Sequence, residues 1–311
     1  SLQCGESACG MLRKTAVSAQ LYCLQGRIMS AAAALYRSVL YIPASKERAL
    51  DKARSLDVDA IIFDLEDAVT PDAKVEARDT LKAALQEGGY GARAKIIRLN
   101  GLDSAWGRED AEAMKDAAAD AFLLPKVGSA ADVEALAAII GKDKDIWAMI
   151  ETPMGVMKAE EIAAHPQMKG FVAGTNDLAK ELNCRFRADR LPMITSLSMM
   201  LLAAKAHGIV AIDGVYNQFK DDEGLAAECA QGRDMGFEGK TLIHPAQVAV
   251  CNEAFSPSAE EIDLAERQIA AFEETEASGQ GVAVVDGKIV ENLHVETARK
   301  ILALAEAVSA R

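Results

Sequence analysis

Eight short apolar runs, each followed by a longer stretch with helical periodicity, constrain this chain more than any other feature. They read SVLYIP (38–43), AIIFDLED (60–67), AKIIRLN (94–100), AFLLPKV (121–127), IWAMIET (146–152), GFVAGTND (170–177), IVAIDGV (209–215) and GKTLIHP (239–245). They are rich in Val, Ile and Phe and nearly continuous rather than alternating, which is the pattern of parallel strands covered on both faces. The helical stretches have recognisable ends: Pro71-Asp72 opens 72–87 before Gly88-Gly89, and Ser129 caps 130–140 before Gly141. Eight strand–helix units in succession predict an α/β fold closed as a (β/α)8 TIM barrel. No Gly-rich dinucleotide fingerprint follows any run, which argues against an open doubly wound sheet.

The barrel is expected over residues 36–255. Beyond it the chain supplies an acidic amphipathic helix (258–277), a turn or hairpin at Asp286-Gly287 and a last helix (295–309). Residues 256–311 therefore read as a C-terminal helical extension, a cover or swapped lid that the barrel does not need for closure. Residues 1–35 read as a loose N-terminal extension. Within it, 11–26 carry two positive charges before a modestly apolar run, but Ser18, Gln20 and Gln25 break any resemblance to a signal peptide. No stretch approaches the ~20 apolar residues of a membrane span. A net charge of −13 argues against nucleic acid or an anionic membrane as partner, so an anionic ligand needs its own cluster of Arg and Lys. Cys4, Cys9, Cys23, Cys184, Cys229 and Cys251 include no CxxC pair, which fits a reducing, cytoplasmic compartment.

In such barrels chemistry gathers at the C-terminal ends of the strands. Polar residues do close the runs here: Asp64, Glu66 and Asp67 on the second, Arg98 and Asn100 on the third, Lys126 on the fourth and Glu151 on the fifth. Asn176 and Asp177 follow on the sixth, Asp213 on the seventh and His244 on the eighth. Helix capping explains one or two of these, but not one on almost every strand. Glu151 and Asp177 come from adjacent strand ends. They are either a cap and a salt-bridge partner, or two converging carboxylates that need a hard cation such as Mg²⁺ between them. With almost no His or Cys nearby, Zn²⁺ is disfavoured. Arg98 is a two-pronged clamp for a ligand carboxylate, an ion-pair partner of Glu66 or Asp67, or both, since an acidic neighbour would fix the fork's orientation. Arg37, Lys46 and Arg48, around the first run, are candidates for ligand phosphates or else a solvated basic helix start. His207, beside Gly208, reads as a helix C-cap residue.

The segments RSVLYIPASKERAL, DLEDAV, IIRLNG, LLPKV, IETPMG, GTNDLAKEL and GKTLIHPAQV, in this order and spacing, resemble the citrate-lyase β-subunit/malyl-CoA lyase family from about residue 37 to the end. The resemblance implies a Mg²⁺-dependent barrel enzyme acting on an acyl-CoA thioester with a small dicarboxylate or α-keto acid, assembled as a homotrimer or a dimer of trimers. It implies Glu151 and Asp177 as metal ligands and Arg98 on the substrate carboxylate. Glu66 and Asp67 become further catalytic candidates, Lys126 and Asn176 substrate contacts, and Arg37, Lys46 and Arg48 contacts to the CoA phosphates. Family chemistry is reversible Claisen-type cleavage of a 3-hydroxyacyl thioester. In many members the tail reaches a neighbouring subunit's site and supplies a catalytic Asp after a Gly-x-φ-φ step, φ being apolar. Here the step is Gly287-Lys288-Ile289-Val290 and the residue is Glu291, whose carboxylate sits about one C–C bond further out. A misplacement of ~1 Å can cost about 100-fold in rate. VAVVDGKIVENLHVETAR, together with FVAGTNDLAKEL and IVAIDGVYNQFKDDEGLAAECAQGRDMGFEGKTLIHPAQ, is more similar to the (3S)-malyl-CoA thioesterase branch, which hydrolyses the thioester. The rivals are C–C lyase activity, a CoA-independent Mg²⁺ barrel aldolase, and a barrel kept as a non-catalytic subunit.

Overall fold

The computed structural model describes residues 34–279 and 281–311. The predicted extension over 1–35, with its signal-like run, lies outside the described residues apart from 34 and 35. Eight parallel strands close into a barrel in sequence order: β1 Ser38–Pro43, β2 Ala60–Asp64, β3 Ala94–Arg98, β4 Ala121–Leu124, β5 Asp145–Ile150, β6 Met168–Ala173, β7 Val210–Asp213 and β8 Gly239–Leu242. Helices follow the strands and cover the outside, where the larger apolar cluster packs. Several strands stop short of their apolar runs because the polar residues at the run ends leave the sheet and become the rim.

Side chains alternate across each strand, so every second residue enters the barrel. Val39, Ile62, Ile96, Leu123, Trp147, Met149, Val172 and Ile212 fill the interior. Gly170 of β6 makes room for Trp147, since a Cβ there would lie 2.5 Å from the indole ring. The predicted caps are present: Ser129 and Asp132 form a reciprocal capping box, and Gly141 ends that helix in a positive-φ conformation.

The same alternation sends Asp213, next to inward-facing Ile212, through the wall toward the helices. It is fully buried and is not a rim residue, contrary to the sequence expectation. Arg190 Nη1 donates to both its oxygens at 2.7 and 2.8 Å, and Lys240 Nζ donates to it at 3.1 Å and to Glu228 at 2.6 Å. Burial alone would raise the Asp213 pKa, but Lys240 and Arg190 outweigh it and hold the carboxyl below its ordinary value.

After β8 the chain forms a helix, Val248–Phe255, and a long helix, Ala259–Ser278. A hairpin follows, β9 Ala283–Val285 and β10 Lys288–Val290, turning at Asp286-Gly287. The last helix, Asn292–Ser309, begins three residues earlier than predicted because Glu291 and His294 cap it reciprocally. Ala283, Val285, Val290 and Val295 pack together against Ile269 and Phe272 of the long helix. The tail thus builds its own small core rather than covering its own barrel's mouth.

Asp213→Ala should cost about 3–5 kcal/mol of unfolding free energy, because it strands two buried cations. Urea denaturation at neutral pH measures it, and a loss under ~1 kcal/mol would show that the cluster is dispensable. Since the folded pKa is depressed, this stabilisation is present above the unfolded value of about 4 and disappears as pH falls through the lower folded value.

Candidate active site

The C-terminal ends of the strands enclose a cavity of about 350 Å³ lined by Tyr41, Asp64, Asp67, Arg98, Met149, Glu151, Asn176 and Asp177 among others. Strand parity explains its membership. Asp64, Arg98, Met149 and Glu151 each lie two residues beyond an inward-facing apolar side chain, so all of them turn into the barrel.

Arg98 is the centre of the floor. Asp64 and Arg98 are register partners on β2 and β3, so their side chains start level with each other. Arg98 Nε donates to Asp64 Oδ1 at 2.8 Å and Nη2 to Oδ2 at 2.6 Å. Nη1 lies 2.9 Å from Glu66 and 3.7 Å from Asp67, and the guanidinium sits 4.7 Å from the Tyr41 ring centroid. One prong pair of the predicted clamp is therefore engaged by Asp64, a partner the sequence reading did not choose, while Glu66 takes Nη1. Burial would lower the Arg98 pKa, but Asp64 above all holds it well above its ordinary value. Asp64 also accepts the backbone N–H groups of Glu66 and Ala68 at 2.8 and 3.0 Å, shaping the turn that carries Glu66 and Asp67.

The carboxylates around this cation are crowded. Burial, opposed by Arg98, pushes Glu66 up to about 7. Burial and then the charge of Glu66 push Glu151 up to about 7 as well. Glu151 is nevertheless firmly held: the backbone N–H of Lys126 donates to its Oε1 at 2.7 Å. Lys126 reaches this geometry in the left-handed region, with φ 52°, a strained position for a side chain with a Cβ. Its Nζ stands 3.6 Å from Glu66. Gly174 faces Glu151 so closely that any Cβ there would collide with the glutamate side chain.

Asp177, in the first turn of the helix Thr175–Glu181, lines the cavity with Glu151. No group of three His, Cys, Asp or Glu side chains suited to a metal occurs among the described residues. Two oxygen donors beside open space suit a hard ion that keeps several waters, as Mg²⁺ does, and not Zn²⁺. The raised Glu151 points the same way, since a cation there would remove the penalty on its charge.

The other predicted residues divide. Asn176 exchanges hydrogen bonds with Asn217 at 3.1 and 2.8 Å beside the mouth. Lys46 and Arg48 are exposed and line a second groove of about 530 Å³, which shares Ala68 with the cavity. Arg37 requires a correction. It precedes β1 at the opposite end of the barrel, where Nε and Nη2 donate to Asp59 at 2.8 and 2.9 Å and Nη1 to Ser256 at 2.9 Å. It is a buried structural ion pair, far from any ligand at the strand C-termini. Asn100 braces loops through Leu65 O at 2.9 Å and Asp110 at 2.5 Å. His244 stacks on Phe219 at 4.6 Å and caps a short turn, and His207 reaches Glu160 at 3.0 Å at its helix end. Glu291 is exposed at its helix cap, outside this chain's own cavity. Tyr41 and Met149 were missed. Alternation along SVLYIP and IWAMIET could have placed both inside, beside Arg98.

Comparison with known proteins agrees with this geometry. The model of the HpcH/HpaI aldolase/citrate lyase family matches residues 37–245. A (3S)-malyl-CoA thioesterase of Cereibacter sphaeroides is 64% identical over 275 residues, covering 88% of this chain and 96% of that protein. The citrate lyase subunit beta of Escherichia coli is 33% identical over 281 residues, 87% of this chain and 93% of its own. Among solved structures, CitE of Mycobacterium tuberculosis in complex with magnesium, acetoacetate and coenzyme A superposes with a TM-score of 0.76 at 32% identity, covering 89% of this chain and all of that one. The chain belongs to the HpcH/HpaI aldolase/citrate lyase family.

Proposed function

We propose that this protein hydrolyses (3S)-malyl-CoA to malate and CoA, with Mg²⁺ held by Glu151 and Asp177. The observation that carries this reading is the 64% identity to the Cereibacter thioesterase along 96% of that protein. The magnesium complex of the related CitE supports the choice of ion. When bound, the ion supplies positive charge that polarises an acyl oxygen and offsets the two carboxylates. Arg98 faces the substrate's free carboxylate, and Asn176 and Lys126 contact the bound acyl group. The groove of Lys46 and Arg48 receives the phosphates of CoA, leaving the thioester at the cavity mouth.

Hydrolysis needs a base for water, and within this reading Glu291 of a neighbouring subunit provides it. Glu291 accepts a proton from water, the water oxygen bonds to the thioester carbonyl carbon, and the C–S bond breaks. The sulfur departs with that proton as the thiol of CoA. Glu66 and Asp67 keep Arg98 oriented throughout. A trimer, alone or paired, fits the exposed apolar face of the tail. Val284 and Ile289, opposite each other in the hairpin, and Val282 and Leu293 beside it are each more than half exposed. Met154 and Met157, in the helix after β5, and Phe186, beyond the helix that follows β6, are comparably exposed. A cytoplasmic location fits the free thiols of Cys184, Cys229 and Cys251, and no described helix is long and apolar enough to cross a membrane.

The second reading is reversible C–C cleavage to acetyl-CoA and an α-keto acid, favoured by the 33% identity to citrate lyase subunit beta. Product analysis with malyl-CoA separates the two: malate with free CoA supports hydrolysis, and acetyl-CoA with glyoxylate supports the lyase. EDTA should abolish turnover and Mg²⁺ restore it, with Glu151→Ala and Asp177→Ala unresponsive. Full activity in metal-free protein would overturn the metal assignment. Glu291→Gln should lower kcat by about 100-fold or more, the usual worth of a general base. Mixing Glu291→Gln chains with Glu151→Gln chains should restore measurable activity, because a mixed assembly contains sites with both groups intact. Unchanged rates in Glu291→Gln, or no recovery on mixing, would remove the inter-subunit base.

A further inference from the structure

Two donor groups in the cavity floor converge on a thioether: Arg98 Nη1, which faces Glu66 at 2.9 Å and keeps a second N–H, and the Tyr41 hydroxyl. Arg98 Nη1 lies 3.6 Å from the sulfur of Met149, and the Tyr41 hydroxyl lies 3.9 Å from the same sulfur. A thioether is a weak acceptor, and the Tyr41 contact is at the long end even for sulfur. Tyr41, Arg98 and Met149 all line the cavity. The Tyr41 ring lies under the guanidinium, so the two donors are held in one rigid unit.

Arg98 also cannot act alone as a two-pronged clamp. Its Nε and Nη2 are committed to Asp64, which is itself pinned by the backbone of Glu66 and Ala68. Nη1 faces Glu66 at 2.9 Å, which leaves a ligand one of its two N–H bonds. A carboxylate has two oxygens to satisfy, and the second donor must come from another residue. Converging donors of different residues, with only a flexible methionine side chain between them, meet that need.

We propose that the Tyr41 hydroxyl is the second donor to the free carboxylate of the acyl group, sharing it with Arg98. This rests on the function proposed above. Met149 moves aside as the carboxylate enters, one oxygen accepts from Arg98 Nη1, and the other accepts from Tyr41. A phenylalanine at this position keeps the ring beneath Arg98 and deletes the donor alone. The bond is made equally in the bound substrate and in the transition state, since the carboxylate takes no part in bond breaking. Its loss therefore falls on KM rather than kcat.

The test compares full-length wild-type protein with Tyr41→Phe. With malyl-CoA, KM should rise about tenfold or more while kcat changes less than about threefold, as befits a hydrogen bond to a charged acceptor. Calorimetric titration with malate, at saturating Mg²⁺, should show Kd raised by a similar factor. Mg²⁺ affinity and the thermal midpoint should stay at their wild-type values. Malate binding and KM unchanged in Tyr41→Phe would overturn the inference, as would loss of Mg²⁺ binding alongside malate, which would make the hydroxyl a structural group. Wild-type protein that neither hydrolyses malyl-CoA nor binds malate would instead overturn the functional reading itself.

Discussion

A side chain on a strand of a closed parallel barrel has two destinations, the interior or the helical jacket, and adjacent residues take opposite ones. This constraint sorts every charged group near the strand ends. Asp64 and Arg98 fall inside at the same height and pair across the floor of the cavity. Asp213 and Lys240 fall outside and pair with Arg190 and Glu228 beneath the helices. Both groups are buried ionic clusters on one sheet, and each offsets its desolvation by close, multiply bonded geometry. They differ in closure. The outer cluster balances two cations with two carboxylates in the wall, whereas the inner one opens to a cavity and gathers several carboxylates around one guanidinium. That imbalance is what makes the inner cluster a site.

Much of the barrel was legible because parallel strands buried on both faces leave unmistakable apolar runs, and because Ser129, Gly88 and Gly141 mark helix ends by their own chemistry. The site was legible at the level of strand ends and less so at the level of partners. Arg37 shares a segment with Lys46 and Arg48, but a strand lies between them, so they emerge at opposite mouths of the barrel. Asp213 closes a strand like Glu151 yet has the other parity. Arg98 meets Glu66 and Asp67 as the motif suggests, at 2.9 and 3.7 Å, and register adds Asp64, which the motif does not single out. Tyr41 escaped notice because a tyrosine in an apolar run reads as core, and only its inward parity and the neighbouring guanidinium reveal a polar use.

Charge explains why the inner cluster is suited to an ion. The chain carries a net charge of −13, and its cavity concentrates Asp64, Glu66, Asp67, Glu151 and Asp177 near one arginine and one lysine. Glu66 and Glu151 respond by resisting ionisation, both pushed up to about 7 by burial first. The backbone opposes that tendency at Glu151 alone, through the N–H that the left-handed Lys126 turns toward it. A strained residue that stabilises one particular carboxylate's charge, beside a Gly174 that no larger residue could replace without moving it, is costly unless that carboxylate has a cation to meet.

The tail follows from a different requirement. Its hairpin and last helix bury one face on the helix Ala259–Ser278 and leave Val282, Val284, Ile289 and Leu293 exposed on the other. Its far end is not free either: Arg311 contacts Asp59 and the carbonyl of Val58, joining the same buried pair that holds Arg37. The 18-residue helix Asn292–Ser309 spans about 27 Å at the rise of an α-helix, which separates Glu291 from that anchor by a rigid length. On the proposed reading, Glu291 is therefore carried by a braced lever rather than a loose strand. On that same reading, the packing of the barrels would set its position over a neighbour's cavity. The longer reach of glutamate compared with aspartate is tolerable in such an arrangement only if subunit packing, and not side-chain flexibility, fixes where the carboxylate meets the water.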